Sequence, residues 1–582
     1  MKPEEEKVLA KDAVRTESSE GRPKGTVKPN RRQRRRQAKD VKQNTGSYGK
    51  SQRQQQAEYA NSFGWYNVNP ELIEGAARIP FGEIVGAPLI GTSIPSVPGV
   101  MAIEYAPTIG GQFNVKTQRF ESTGVNQSGE ARYSFVVHAN SRNQSYSASD
   151  LTMVSLAGCQ IFALISLGER IYGTMTSYSP TNYYLPKVLI EAQHFNFEDL
   201  QANYSHMWFD LNQRIARCNQ IWIPKDFPIA QRWFWLNQAY YIDAQSSRGQ
   251  IYLFTPYDYF TFTDTTRTGS GLTRQNSIAG QMTWSEYLEM LDSSITALLD
   301  SMDRGTMYGD ILKAYGSENL YSLAPLDINF KAPIVYSPEV LMQIENASVF
   351  DHAASCMAPS HIEQTEQEVL VQNWVRYESD LNYSVVANYS SSGKQLLNFH
   401  GIASPSVENV TIATRLKAGP ALYTEWYDAN QTELSHGIIP SSCGTEIVRN
   451  AVIYYNNGKA DAKYEKVGYD QLFSLTAKPG ALDNISYDWR ISMLSAFDWA
   501  PWLYVPGTVS NAESDTFDMY TPTAAGKNFN FNQQWRNLFG DWDNYAWIGM
   551  DDLARIHLAC ELSLFGLVGF GAKKSESNGR AK

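Results

Sequence analysis

The sequence predicts a mainly α-helical domain over residues 62–330, followed by a mixed α/β or strand-and-loop domain over 331–545, behind a disordered basic N-terminal arm at 1–61. Three observations carry that prediction. Long apolar segments with capping residues crowd the stretch between Ser147 and Gly316. Beyond Ala332 the texture changes to short apolar runs broken by Asn, Ser and Gly. The charge is also divided: residues 1–56 carry +9, which leaves −19 on 57–582 out of a total of −10.

The arm holds twelve cations between Gly21 and Gln56: Arg22, Lys24, Lys28, Arg31, Arg32, Arg34, Arg35, Arg36, Lys39, Lys42, Lys50 and Arg53. Asp40 is the only acid among them, and apolar residues are nearly absent. A chain with so little to bury cannot offset its conformational entropy, so it is expected to be disordered when free. Cations at this density attract polyanions by neutralising phosphates, without regard to sequence and with steep salt dependence. Three readings stay open from the arm alone: a nucleic-acid-binding tether, a nuclear-localisation signal and a solvated tail.

A chain of 582 residues exceeds one ordinary domain, and two or three cores are expected. Aromatic residues make up 13 %, with 34 Tyr and 14 Trp, a stock suited to large contact surfaces as well as to a large core. The five cysteines are scattered and form no CxxC, which points away from disulfides and zinc and toward a reducing compartment. The start is charged from Lys2 onward, and no signal peptide is expected.

Taken in order, residues 79–111 alternate apolar pairs with Pro and Gly, a rhythm that forbids long helices and predicts an extended segment crossing a surface, either on this subunit or on a neighbour. Ser147 to Asp150 supply N-caps for a helix to about Tyr172. Leu151 to Gly168 contains no charge until Glu169, long enough to raise a membrane span. Its Thr152, Ser155, Gln160 and Ser166 make a buried core helix the expected form, and no membrane span is expected in the chain. Further helices are predicted over 197–218 and 230–240, then a strand over 250–254. Thr283 and Glu286 form a capping box for a helix to about Met302, and a shorter helix over 310–315 closes at Gly316. A last helix begins at Asp551 and Asp552 and runs to about Phe565, within a segment 546–572 expected to return to the first domain. Residues 573–582 form a polar tail.

No catalytic, cofactor or metal site is expected. The sequence contains no Walker A, GxGxxG, GxSxG or HExxH pattern, and the eight histidines lack metal-ligand spacing. Gly549-Met550-Asp551-Asp552 echoes the paired aspartates of nucleotide polymerases, but here the acids open a helix, where they favour the positive end of its dipole. An enzyme is therefore not expected.

Several distinctive blocks follow one another along the chain. They include Trp65-Tyr66 with Asn69 to Leu72, Pro98 to Met101 with Glu104 to Pro107, and His138 to Ser141 leading to Asp150-Leu151. Tyr178 to Lys187, Phe197 to Leu200, Pro224 to Pro228 and Gln250 to Pro256 follow. Gly309 to Ala314, Gln343 to Ala347, Ala413 to Leu416 and Gly444 to Ile447 complete a series that covers most of 62–450 and resembles the capsid proteins of picobirnaviruses. The resemblance implies a non-enzymatic coat protein of a small segmented double-stranded RNA virus, assembled in the host cytoplasm. It implies symmetric homodimers arranged as a T=1 icosahedral shell, with a mainly α-helical shell domain, a projecting domain and exchanged N-terminal segments. The twelve arm cations would then face packaged viral RNA independently of its sequence. Arms in such proteins vary, so the RNA role of this one rests on its own charge. The alternative is a cellular RNA-binding scaffold that uses the same arm.

Overall fold

A single 30-residue helix organises the packing. In the computed structural model of the chain, it runs from Ala148 to Ser177, one turn beyond the expected end. Besides Glu71, the structure describes residues 99–114, 116–117, 119–141, 145–179, 182, 184–243, 250–266, 268–275, 280–350, 357–376, 385–391, 394–427, 432–456, 464–468, 497–504, 507–509, 517–518, 529–530, 534–535 and 544–566. The arm, the polar tail and residues 79–98 lie outside these.

The described helices are α1 (Thr123–Asn140), α2 (Ala148–Ser177), α3 (Leu185–Glu191), α4 (Phe197–Cys218), α5 (Ile229–Leu236), α6 (Trp284–Leu299), α7 (Met302–Tyr315), α8 (Pro338–Glu345), α9 (Val407–Ala413) and α10 (Met550–Leu564). Ser147 starts α2 with a reciprocal capping box: its Oγ accepts from Asp150 N, and the Asp150 carboxylate accepts from Ser147 N. From Leu151 to Thr174 every residue is buried. The helix is long and apolar enough to cross a bilayer, but its faces are covered by protein. Its buried hydroxyls are satisfied. Thr152, Ser155 and Thr174 donate to carbonyls one turn back, and Ser166 donates to Phe234 O. Gly168 lets α6 approach, because a Cβ there would meet the Tyr287 ring, whose hydroxyl donates to Leu164 O.

Arg170 pins α2 to its surroundings. Its guanidinium is fully buried, donating to Gln193 Oε1 at 2.9 Å, Phe254 O at 2.7 Å and Ala239 O at 3.3 Å. One side chain thus ties the helix to three other segments, because five fixed donors can reach several acceptors at once.

Two large sheets, with three smaller ones among the described residues, complete the body. Strands β1 (Val100–Pro107), β4 (Tyr240–Ile242), β5 (Ile251–Pro256), β8 (Ile334–Val335), β16 (Glu446–Asn456) and β17 (Tyr464–Gly468) form a six-stranded sheet in the order β17-β16-β1-β5-β4-β8. A larger sheet has the order β12-β14-β15-β2-β3-β11-β10-β7-β6. It combines β2 (Gly111–Asn114), β3 (Arg119–Glu121), β6 (Tyr259–Thr266) and β7 (Gly269–Gln275) with β10 (Met357–Gln364), β11 (Leu370–Arg376), β12 (Val385–Ser391), β14 (Gly419–Tyr427) and β15 (Thr432–Cys443). The remaining early strands are β9 (Ser348–Phe350) and β13 (Lys394–Phe399). Each large sheet therefore joins strands from both sides of residue 330, and the fold is a mixture of helices and sheets rather than a helical block in series with a strand block.

Four local expectations change. Residues 100–107 are extended as expected but do not cross a surface: β1 is buried along its length, antiparallel to β16 and parallel to β5. The parallel pairing needs a long crossover, which α1 to α5 supply. Helix α5 stops at Leu236 rather than continuing to Tyr240. The Asn237 amide bonds Tyr105 Oη and Ala163 O, and the chain turns into β4. The helix from Thr283 ends at Leu299, and Ser301, in extended conformation, separates it from α7. Helix α7 consequently begins at Met302 instead of Asp310, ending as expected at Gly316, whose φ is +75°.

Candidate functional site

All twelve arm cations, from Arg22 to Arg53, lie outside the described residues. The polymerase-like aspartates are described. Asp551 and Asp552 are exposed in the first turn of α10, and Asp552 faces Arg555 at 3.4 Å. That is the chemistry of a helix N-terminus, where acids offset the positive end of the dipole. Among the described residues no cluster of His, Cys, Asp and Glu is arranged to hold a metal ion.

What the fold does bring together is a buried polar junction where the two sheets, α5, α8 and α10 meet. Its centre is Glu446, the first residue of β16, which is fully buried. Its carboxylate accepts from Arg232 Nε at 2.9 and 3.0 Å, Arg232 Nη2 at 2.8 Å, Trp233 Nε1 at 3.0 Å and Thr445 Oγ1 at 2.7 Å. Arg232 also donates to Gln343 on α8. Burial alone would raise the Glu446 carboxyl, but Arg232 and Arg415 outweigh it and hold the group below its ordinary range. Glu446 is therefore a charged tie between β16, α5 and, through Arg232, α8. Sequence reasoning included Glu446 only within a family-like block. Its one legible signal is the acid in the otherwise apolar context of Ile447 and Val448.

Helix α10 closes the junction from the other side. His557 is buried with Nδ1 2.9 Å from Ser442 Oγ and Nε2 3.1 Å from Thr414 O. A carbonyl can only accept, so Nε2 carries the proton and Nδ1 accepts from the serine. Burial, reinforced by Arg415, pushes the imidazole pKa down to about 3. A serine beside a histidine invites comparison with a nucleophile and its base. Both residues are buried here, Nε2 is occupied by a backbone carbonyl, and a group with so low a pKa is a weak base. The pair is a structural bridge from α10 to β15.

One turn on, Glu561 sits in a socket made by Gly110, Gly111, Ser122 and Gly124. Gly111 N donates to Oε1 at 2.8 Å and Ser122 Oγ donates to Oε2 at 3.1 Å. A Cβ on Gly110 or Gly124 would collide with the Glu561 side chain, and Gly110 also holds φ +71°. Burial pushes the carboxyl up to about 7 against these hydrogen bonds. Past the helix end, Arg132 of α1 donates to Phe565 O, and the Phe565 ring lies 5.9 Å from Phe227. Helix α10 therefore lies against α1 and β2 as well as β15.

On the surface, β8 ends the six-stranded sheet with both side chains exposed, and Ile328 and Tyr336 nearby in sequence are exposed as well. An open sheet edge flanked by apolar side chains is a ready template for pairing with another chain.

Comparison with known proteins gives one consistent result. The family model described as picobirnavirus capsid protein matches residues 65–516. A capsid protein precursor of human picobirnavirus (strain Human/Thailand/Hy005102/-) is 24 % identical over 551 residues, covering 88 % of this chain and 92 % of the relative. A solved structure titled as the X-ray crystallographic structure of the picobirnavirus capsid superposes with a TM-score of 0.64 at 21 % identity. That superposition covers 87 % of this chain and 98 % of the other.

Proposed function

The chain belongs to the picobirnavirus capsid protein family, a family of structural proteins rather than enzymes, and on that premise we propose that it assembles as symmetric homodimers into a T=1 icosahedral shell around double-stranded RNA. As a capsid protein it is part of the virion, and the proposal places assembly in the host cytoplasm. The observation that carries the reading is the match of fold over nearly the whole length of a capsid subunit. The open β8 edge supports self-association in the same direction.

Within the shell, the body and the arm divide the work. A body carrying −19 repels phosphate, whereas Arg22 to Arg53 attract it, so the arm bridges protein and RNA by counterion release. In this proposal residues 62–330 and the returning segment 546–572 supply chiefly the shell domain, and residues 331–545 chiefly the projecting domain.

Electron microscopy of the chain expressed alone tests the assembly. Closed, uniform particles are expected, with two-fold contacts between subunits in a reconstruction. A protein that stays monomeric or dimeric across a range of salt concentrations would refute the proposal. Absorbance ratios and extracted RNA from particles of the full chain and of a 57–582 variant test the arm. Loss of RNA is expected, and equal RNA content would refute the tether.

A further inference from the structure

We propose that α10 is a pH-gated latch: His557 and Glu561 hold it on the body with opposite proton responses, so it stays docked through mild acid and releases in strong acid. The argument begins with geometry. The buried face of α10 is Leu553, Ala554, His557 and Glu561, so two ionisable groups one turn apart share the docking surface with two small or aliphatic residues. Each group reaches a different part of the body. His557 bonds Thr414 just after α9 and Ser442 on β15, whereas Glu561 bonds Gly111 on β2 and Ser122 at the start of α1. The two sockets adjoin, since Ser442 and Cys443 of β15 pair with Gln112 and Gly111 of β2, and the buried face of α10 spans both.

The surroundings fix the sign for each group. His557 lies out of water beside buried Arg415, so burial and that charge oppose a proton on the imidazole, against the weaker pull of the Thr414 and Lys417 backbone. The other titratable groups nearby are Cys443 at the end of β15 and Glu446 across Thr445, the latter committed to Arg232. On α1, Arg132 caps the end of α10 through Phe565 O. Asp551, Asp552 and Arg555 on the outer face of α10 are exposed. Glu561 meets a neutral N–H, a hydroxyl and the more distant Arg415, and among the described residues no cation pairs with it.

Linkage then gives the shape of the response. The docked imidazole titrates near 3 and an undocked one near 6.5, so falling pH favours release tenfold per unit between those values. The docked carboxyl titrates near 7 and an undocked one near 4.5, so falling pH favours docking tenfold per unit across that range. Between 6.5 and 4.5 the two slopes cancel. Below 4.5 the histidine acts alone, and release grows about tenfold per unit toward pH 3.

Hydrogen–deuterium exchange on the full chain, corrected for intrinsic rates, tests this with α2 amides as the reference for global opening. In wild type, protection of α10 should change less than about tenfold from pH 6.5 to 4.5 and then fall about tenfold per unit, ahead of α2. Glu561→Gln should expose the histidine slope and lower protection about 100-fold from pH 6.5 to 4.5. His557→Gln should expose the carboxyl slope and raise protection about 100-fold over the same interval. Superimposable profiles for the three proteins would overturn the proposal. So would simultaneous loss of α2 and α10 protection in wild type, a result that needs no variant to fold.

Discussion

Removing the Glu446 carboxylate tests whether the polar junction ties β16 to α5 and α8. In Glu446→Leu the Arg232 guanidinium, whose side chain is 12 % exposed, loses its partner, and the buried Trp233 N–H and Thr445 hydroxyl lose their acceptor. Breaking a buried pair by deleting one partner costs about 3–5 kcal/mol, and each stranded neutral donor adds about 1–3 kcal/mol, less than additively because the donors share one acceptor. A loss of about 4–6 kcal/mol is expected, measured by urea unfolding of the unassembled subunit with tryptophan fluorescence at pH 7. Glu446→Leu combined with Arg232→Met should recover at least about 2 kcal/mol, since both charges are then gone. The pH dependence supplies a second check. The folded carboxyl is held below its ordinary range, so its contribution is present above about 4.5 and is lost as pH falls through the folded value. Acid should therefore weaken wild type more than Glu446→Gln. A loss under about 1 kcal/mol in Glu446→Leu, or a double variant no more stable than the single one, would refute the account.

Three further outcomes are expected. Burial pushes the Glu169 carboxyl in the middle of α2 up to about 7, so ionisation costs stability as pH rises from about 4.5 to 7. Glu169→Gln should flatten that slope and stabilise the subunit at pH 8 by up to about 3 kcal/mol, read from urea midpoints across pH. Gly110→Ala places a Cβ against the Glu561 carboxyl at a left-handed φ; proteolysis within α10 should accelerate at least tenfold, while α2 peptides stay protected. Deleting residues 1–56 should make RNA binding by dissociated subunits nearly insensitive to salt, reducing the log–log slope by up to about 10, as filter binding over a salt series would show.

Where local chemistry decides, the sequence was sufficient. Ser147 with Asp150 and Thr283 with Glu286 set helix starts through reciprocal hydrogen bonds among near neighbours, and Phe197–Cys218 forms over its expected span. The core role of Leu151 to Gly168 followed from apolar residues on every face with hydroxyls that can bond one turn back. The charge contrast between arm and body is likewise a property of composition. Helix α1 was harder to read, because Thr123–Asn140 mixes Gln127, Ser128, Gly129 and Glu130 with few apolar residues and carries little periodicity. The early stop of α5 depends on Asn237 reaching Tyr105 and Ala163, residues distant in the chain.

The candidate junction was almost invisible for the same reason. Glu446 and Arg232 are separated by 214 positions, and His557 and Ser442 by 115, and no spacing rule links such pairs. Local chemistry along the chain specifies the helix caps, the apolar core helix and the cationic arm, and ordered blocks of residues mark the family. Long-range contacts alone make β1 an interior strand, draw both halves of the chain into each of the two largest sheets, and set the histidine and glutamate of α10 into adjoining sockets on β15 and β2. Capping and amphipathicity act over a few residues and leave a local pattern, whereas strand pairing and buried charge are settled by contacts that exist only once distant segments have come together.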